Sequence, residues 1–479
     1  MSKKLNELTI SDAARALRAQ GCSVQELWDA CAAAAAAKNP ELNAYLEIFD
    51  ADATAIVAAQ KRIDTEGEAA PALCGIPLAI KDNILIEGRI ASAASKMLEN
   101  YRATYDATVI RKLKDAGALF LGRTNMDEFA LGGSTENSAF GVTKNPHDLT
   151  RVAGGTSGGS AAAVAAHLAI AALGTDTGGS VRNPASYCGV VGLKPTYGAV
   201  SRSGVIAAAS SFDQVGPITK SVADAQILLN AIRGKDPLDS TSIDIQNNPK
   251  EIKRIGVTKM SLTADKDNPG IVQETIRVFF EKIKSLESAG YEVVEIDIPF
   301  ANLAVAAYYI INFAEVSANL SRYDGIRYGL AKRGETLLDD YVASRTEGFG
   351  PETRRRILLG TFVLSSGYID AYYHKARAAR TLLRAEYEQA FAKVDVILTP
   401  TMPTPAFKIG EKSDPLSLYL EDAFTVPANL TGMPAISIPM GAVEREGKDL
   451  PVGLHLTASL GADEPLLVMA QEVEKLLKG

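Results

Sequence analysis

Residues 152–200 carry the residue types most suited to chemistry. Two clusters of glycines and hydroxyl residues, GGTSGGS (154–160) and DTGGS (176–180), lie close together in this segment. Glycine has no Cβ, so its backbone can turn several N–H groups toward one point, where they bind an anion or an oxyanion. The clusters also supply Ser157 and Ser180, whose hydroxyls could act as nucleophiles once a base removes the proton.

Of three known glycine-rich motifs, only the nucleophile elbow fits these clusters. A phosphate loop needs a lysine after its last glycine, and neither that motif nor the dinucleotide-binding spacing of glycines fits. Residues 155–159 do match the Gly-x-Ser-x-Gly pattern of a nucleophile elbow centred on Ser157. That motif requires a strand, a sharp turn and a helix, with an Asp and a His later in the chain. His374 or His455 could supply the imidazole.

A lysine is the other candidate base, because the 479 residues include only four histidines. Lys81 follows the apolar run IPLAI (76–80) directly. The ordinary pKa of a lysine is about 10.4, so burial must lower it by roughly three units before the amine is neutral at pH 7. The alternative is that Lys81 ends a strand and points into water.

The composition excludes several classes of protein. Hydrophobic residues make up 47% and charged residues 22%, which indicates a globular chain rather than a disordered or coiled-coil one. The net charge of −7 gives no overall basic field for binding a nucleic acid. The four cysteines and four histidines do not have the spacing of metal ligands, so we expect no metal site.

The predicted location is the cytoplasm. Four scattered cysteines without a CxxC pair suggest buried thiols in a reducing compartment. The start, MSKKLNELTIS, has no apolar stretch of a secretory signal. The small apolar run 161–173 is too short to span a bilayer, so no membrane segment is expected.

The elements that must position these residues alternate along the chain. Residues 1–66 are predicted to form a helical segment, and from Gly75 onward short apolar runs alternate with helical patterns. This alternation favours an α/β fold with a partly parallel sheet. An Ala-rich helix containing His167 is predicted between the two glycine clusters, ending near Gly174. The predicted strands cover 76–80, 118–122, 253–258, 291–299, 394–400, 435–439 and 452–458, and the last two surround a charged loop at 443–449.

Three segments resemble the amidase signature family. They are GIPLAIKDN, GGTSGGS and GTDTGGSVRNPASYCGVVGLKPTYG, in the family's order, and the resemblance extends over about residues 70–460. It implies an α/β fold whose mixed central sheet is covered by helices on both faces. It also implies a division into an N-terminal helical segment, 1–66, and an amidase signature domain, 67–479, whose helical block 303–390 lies over the active site.

The resemblance implies a triad that hydrolyses amides. Ser180 matches the family's acylated nucleophile and Lys81 matches its base. Thr156 falls on the hydroxyl that relays the proton between them, where the family usually has serine, and Ser157 is a secondary candidate for this relay. The backbone N–H groups of an oxyanion hole are implied at Thr177, Gly178 and Gly179.

Longer segments resemble the branch of the family that serves tRNA-dependent amidotransferases. This implies a glutaminase that supplies ammonia for converting Glu-tRNA(Gln) to Gln-tRNA(Gln), and for Asp-tRNA(Asn) as a further substrate of the complex. It implies a heterotrimer with two further subunits, of B and C type, which hold most of the tRNA contacts and use ATP and magnesium. This chain itself is expected to bind no cofactor.

A glutamine pocket needs a cation for the carboxylate and an anion for the ammonium group. Arg356, Asp422 and Tyr308 lie in the matching segments and fit this pocket. Only one of Arg354–Arg356 is expected to face inward, the others lying on a solvated helix face, and Asp422 could instead cap a helix.

Two other functions fit the same sequence. A stand-alone amidase of the family would act on another small amide without partners. A catalytically weak scaffold subunit is suggested by Thr156 at a position where serine is usual, although Lys81 and Ser180 are intact. His167 and His455 are expected to be structural.

Overall fold

A computed structural model describes residues 3–245, 252–258 and 272–478. Within these residues eleven strands form one mixed sheet, and two further strands form a separate antiparallel pair. The strands are β1 (Tyr45–Ile48), β2 (Pro77–Lys81), β3 (Leu119–Thr124), β4 (Lys144–Asn145), β5 (Asp148–Val152), β6 (Ala171–Asp176), β7 (Val191–Lys194), β8 (Gln214–Thr219), β9 (Arg254–Thr258), β10 (Glu292–Ile296), β11 (Val396–Pro400), β12 (Ala435–Arg445) and β13 (Lys448–Ala458).

The helices are numbered in chain order within the same residues. They are α1 (Ile10–Arg18), α2 (Val24–Leu42), α3 (Ala53–Glu66), α4 (Thr108–Asp115), α5 (Gly158–Ala165), α6 (Arg182–Cys188), α7 (Val222–Ile232), α8 (Gln273–Ser288), α9 (Ala304–Leu320), α10 (Leu337–Gly348), α11 (Pro351–Leu364), α12 (Tyr373–Phe391), α13 (Pro415–Tyr419), α14 (Val426–Thr431) and α15 (Asp463–Lys478).

The large sheet is mixed, as the sequence predicts. Its strand order is β1-β3-β2-β6-β8-β7-β12-β13-β11-β9-β10. The strand β2 runs parallel to β3 and β6, and β9 runs parallel to β10 and β11, whereas the strands between these groups pair antiparallel. Every residue of β2, β6 and β8 is buried, so both faces of the sheet are covered here, which confirms the predicted α/β architecture.

The N-terminal segment is mostly helical and also contributes a strand. Ser23 and Glu26 form a capping box at the start of α2. The strand β1, which was not predicted from the sequence, pairs antiparallel with β3 at the edge of the large sheet. The N-terminal segment therefore contributes a strand to the same large sheet as the later strands of the described chain, and a domain boundary at residue 66 stays a prediction.

The prediction of one long helix between the glycine clusters is wrong. The helix α5 ends at Ala165, His167 follows it with a positive φ of 59°, and residues 171–176 form the strand β6. Apart from the half-buried Ala165 and His167, residues 158–176 are buried and mostly small or apolar, so no polar face distinguishes a helix from a strand. This difference places the two glycine clusters at the ends of different elements.

The late strands are longer than predicted. β12 and β13 pair up to Arg445 and Lys448, so most of the expected charged loop at 443–449 belongs to the hairpin and only Glu446 and Gly447 form the turn. The block 303–390 is mostly helical, as predicted, and contains α9 to α12. By length and composition the stretch Pro299–Leu320 could cross a membrane, but 56% of its most apolar window is buried inside the protein.

Candidate active site

Lys81 is the last residue of β2 and is completely buried. Its Nζ lies 2.8 Å from the Thr156 Oγ1, 2.9 Å from the Thr175 Oγ1 and 3.2 Å from the Thr175 backbone oxygen. β2 pairs with β3 on one side and β6 on the other, and the Lys81 side chain has no exposed surface among the described residues. The alternative in which Lys81 points into water is therefore wrong.

The surroundings of Lys81 favour the neutral amine. Burial lowers the pKa of Lys81 to about 7, although the carboxylates of Asp127, Asp176 and Asp213 act in the opposite direction. A lysine with this pKa is substantially neutral at pH 7 to 8, whereas an exposed lysine is almost fully charged. The predicted loss of about three pKa units thus has its physical cause in the structure.

The two hydroxyls before α5 have different surroundings. Thr156 directs its Oγ1 to Lys81, and its extra methyl group is accommodated in a fully buried position. Ser157 instead donates its hydroxyl to the Thr175 oxygen at 3.2 Å and accepts from the Thr175 N–H at 3.3 Å. Ser157 therefore joins α5 to β6, and its backbone N–H donates to the Ser180 backbone carbonyl oxygen at 3.1 Å.

The two histidines considered for a nucleophile elbow bind other residues in the described part of the chain. His374 is exposed on α12 and contacts Asp370 at 2.8 Å. His455 is buried on β13, where its Nε2 lies 2.9 Å from the Arg182 guanidinium. Burial, reinforced by Arg182, holds the pKa of His455 well below its usual range, so this imidazole is neutral and accepts from Arg182.

The turn that carries Ser180 can be built only with glycines. A Cβ on Gly178 would lie 2.5 Å from the Tyr308 hydroxyl oxygen. Gly179 has a φ of +136°, and a Cβ there would lie 2.5 Å from the Thr425 Oγ1. Ser180 follows this turn with 8% of its surface exposed, so the nucleophile is sheltered without being sealed from a small substrate.

One of the three predicted oxyanion donors, the Gly179 N–H, already has a hydrogen-bond partner in this turn. The Gly179 N–H donates to the Asp176 carboxylate at 3.0 Å, so it is already paired. Gly179 is therefore needed for its backbone conformation, while Thr177 and Gly178 remain candidates for the oxyanion hole. The Thr177 hydroxyl donates to Asp213 at 2.7 Å, and the Gly178 oxygen accepts from Thr425 at 2.6 Å.

A buried ion pair between Asp176 and Arg182 stabilises the turn. This pair was not predicted from the sequence. Arg182 and Asp176 are both fully buried and are joined by two hydrogen bonds, of 2.9 and 3.0 Å. Asn429 bonds both partners, at 2.7 and 2.8 Å. Burial alone would raise the pKa of Asp176, but Arg182 and Asn429 hold it well below its usual range. Both charged residues lie within the sequence DTGGSVR (176–182), and this short spacing is the sequence feature from which the ion pair could have been predicted.

One of the three consecutive arginines on α11 faces inward. Arg356 is 2% exposed, whereas Arg354 and Arg355 are exposed, as expected from the sequence. Its Nε donates to Glu352 at 2.8 Å and its Nη1 donates to Asn312 at 3.2 Å. These two contacts orient the guanidinium and leave its other N–H groups for a ligand.

Asp422 and Tyr308 lie beside this arginine. Asp422 accepts from the Tyr309 hydroxyl at 2.6 Å rather than capping a helix, and burial raises its pKa to about 7. The Asn312 side-chain amide links the two sides of the site, since it accepts from Arg356 and donates to the Tyr308 hydroxyl oxygen at 3.4 Å. Tyr308 packs on Gly178. It thereby connects Arg356 and Asn312 to the turn that carries Ser180.

The described residues contain no group of three or more His, Cys, Asp or Glu side chains that could hold a metal ion. All four cysteines are free and buried, as predicted.

The chain matches known proteins over nearly its whole length. The A-type subunit of glutamyl-tRNA(Gln) amidotransferase of Desulfatibacillum aliphaticivorans is 48% identical, over 98% of this chain and 97% of the relative. The protein of the same name from Caldanaerobacter subterraneus subsp. tengcongensis is 49% identical, over 99% and 97%.

Solved structures agree with these relatives. The crystal structure of the A-type subunit of glutamyl-tRNA(Gln) amidotransferase from Thermotoga maritima has a TM-score of 0.79 and 40% identity, and the match covers 99% of this chain and 96% of that one. The peptide amidase of Stenotrophomonas maltophilia has a TM-score of 0.81 and 29% identity, over 99% and 97%. The model of the Amidase family matches residues 26–467. The chain belongs to the amidase signature family.

Proposed function

We propose that the chain is the glutamine-hydrolysing subunit of an aminoacyl-tRNA amidotransferase. The observation that carries the proposal is the 2.8 Å contact between the Lys81 Nζ and the Thr156 Oγ1 in a fully buried site. The Ser157 N–H, next to Thr156, donates to the backbone of Ser180, so the proposed base, relay and nucleophile belong to one cluster. Identities of 48–49% to the A-type subunits of two glutamyl-tRNA(Gln) amidotransferases support the choice of reaction.

In the proposed reaction, neutral Lys81 accepts the proton of the Thr156 hydroxyl. Thr156 in turn accepts the proton of Ser180, whose oxygen attacks the side-chain amide carbon of glutamine. The N–H groups of Thr177 and Gly178 are placed to stabilise the negative oxygen that forms. An oxyanion donor of this kind contributes roughly 3–4 kcal/mol to transition-state binding.

The tetrahedral intermediate then breaks its carbon–nitrogen bond. The proton held by Lys81 returns through Thr156 to the departing nitrogen, which leaves as ammonia, and a glutamyl ester remains on Ser180. Water attacks this ester and gives up a proton through Thr156 to Lys81. The bond between the carbonyl carbon and the Ser180 Oγ then breaks, the proton returns along the same path to Ser180, and glutamate leaves. The cycle restores both hydroxyls and the neutral amine, so it consumes one water and no cofactor of this chain.

The proposed substrate is free glutamine. The Arg356 guanidinium would bind the α-carboxylate, and the Asp422 carboxylate would bind the α-ammonium group. Tyr308 lies between these charges and Gly178, so it would contact the aliphatic part of the substrate. The two opposite charges favour an amino acid over a neutral amide, which supports an amidotransferase glutaminase over a stand-alone amidase.

Partners complete the proposed reaction. The ammonia would pass to a B-type subunit that uses ATP and magnesium to amidate Glu-tRNA(Gln), and also Asp-tRNA(Asn), with a C-type subunit completing a cytoplasmic heterotrimer. The tRNA would be held mainly by the partners, in keeping with the net charge of −7 on this chain. Copurification with two further subunits is expected, and a fully active lone chain would instead support the stand-alone amidase.

Alanine variants in the assembled complex test the proposed residues. Ser180→Ala, Lys81→Ala and Thr156→Ala should each lower the glutaminase kcat at least 100-fold, because each removes one step of the proton path. Ser157→Ala should retain most activity if its role is to join α5 and β6. Full activity of Ser180→Ala would overturn the proposal, and loss of activity only in Ser157→Ala would favour the nucleophile elbow. An inactive unaltered complex would identify a scaffold subunit.

A further inference from the structure

The hydrogen-bond partners of Lys81 determine where the lone pair of its neutral amine points. In the described structure its Nζ has three oxygen neighbours within hydrogen-bond distance, the Thr156 Oγ1 and the two oxygens of Thr175. A neutral amine has two hydrogens and one lone pair, and the lone pair must face Thr156 if Lys81 is to accept its proton. The Thr175 backbone oxygen takes one hydrogen. The lone pair of Lys81 therefore faces Thr156 only if the Thr175 hydroxyl accepts the second hydrogen of the amine.

Asn83 is the residue that can fix the Thr175 hydroxyl. It is 2% exposed, and its Nδ2 lies 3.0 Å from the Thr175 Oγ1. Its Oδ1 is buried with no hydrogen-bond partner among the described residues. The oxygen and nitrogen of an amide exchange places by rotation of the side chain, so either atom can face Thr175. When Oδ1 faces it, Thr175 donates its hydrogen to Asn83 and must accept from Lys81.

We propose that Asn83 is a positioning residue, which makes the Thr175 hydroxyl an acceptor and thereby aims the lone pair of Lys81 at Thr156. The proposal rests on the proposed triad. After Lys81 has accepted the proton, its three hydrogens match the three oxygens. The Asn83 amide can then present Nδ2 to Thr175, as in this structure. One amide thus supports both protonation states of the base.

A double-mutant cycle in the assembled complex tests this path. Asn83→Leu keeps the size of the side chain without its amide, and Thr175→Val keeps the shape of threonine without its hydroxyl. Each should lower the glutaminase kcat by roughly 10- to 100-fold with little change in the KM for glutamine. The double variant should be no slower than Thr175→Val alone, because Asn83 acts only through that hydroxyl.

Several outcomes would overturn the proposal. Losses that multiply in the double variant, a change confined to KM, or an unchanged kcat in Asn83→Leu would each contradict it. Asn83→Ala is the second variant if Asn83→Leu does not fold, and thermal unfolding reports folding in every case. Asn39→Leu removes an amide that binds the Tyr45 backbone at the β1 edge of the sheet and does not contact Lys81, so it should leave kcat unchanged.

The reference variant Ser180→Ala separates this inference from the proposed function. If Ser180→Ala is inactive and the cycle is additive, only the role of Asn83 fails. If Ser180→Ala is active, the triad itself fails, whatever the cycle shows.

Discussion

Single residues decide the chemistry of this site through their surroundings. Thr156 stands where the family usually has serine, and its hydroxyl nevertheless lies 2.8 Å from Lys81. The methyl group restricts the χ1 angle of a threonine, yet the hydroxyl still reaches the amine within this buried site. The geometry thus supports a threonine in the relay rather than a weakened subunit.

The pKa of Lys81 predicts the pH dependence of the reaction. Burial lowers this pKa to about 7, so the amine loses its proton, and becomes a base, as the pH rises through 7. We expect kcat at saturating glutamine to fall about tenfold per pH unit below 7 and to level off above it. Saturating glutamine is needed because the pKa of Asp422, raised to about 7, affects substrate binding in the same range.

Asp422→Asn provides the control for this pH profile. It should raise the KM for glutamine but keep the fall in kcat below pH 7, since Lys81 is unchanged. A kcat that stays constant from pH 6 to pH 9 in both proteins would exclude Lys81 as the base.

Among the elements, the turn between β6 and α6 sets the oxyanion site. Gly179→Ala should lower kcat at least 100-fold, because the new Cβ meets Thr425 and the φ of +136° disfavours alanine. Gly410→Ala is the matched control, since Gly410 also has a positive φ, of +81°, and no atom of the described residues lies within 4 Å of a new Cβ. That variant should lose about 1 kcal/mol of stability and no activity. Equal kcat values in the two variants would contradict this role of the turn.

The helix α11 sets the substrate side of the site. Arg356→Ala should raise the KM for glutamine at least tenfold, because the carboxylate loses its buried cation. Arg354→Ala removes an exposed arginine of the same helix and should leave KM within twofold. Steady-state kinetics of the complex distinguish the two, and equal KM values would remove Arg356 from the pocket.

Across the molecule as a whole, the features that depend on local pattern were predictable from the sequence. The run before Lys81 correctly indicated a buried strand, and the helical block near α11 was correctly assigned. The strand β6 was missed because a fully buried apolar segment has no periodicity. The contacts of Asn312 and Asn429 could not be predicted, since each joins elements that are far apart in the chain. The pairing of the Gly179 N–H with Asp176 likewise required the folded turn.

The proposed mechanism is tested most directly by identifying the residue that carries the glutamyl ester. The assembled complex would be mixed with glutamine, stopped with acid within one turnover and analysed by peptide mass spectrometry. We predict a glutamyl group on Ser180, absent in Ser180→Ala and formed at least 100-fold more slowly in Lys81→Ala. A glutamyl group on Ser157, or on Thr156, would contradict the mechanism.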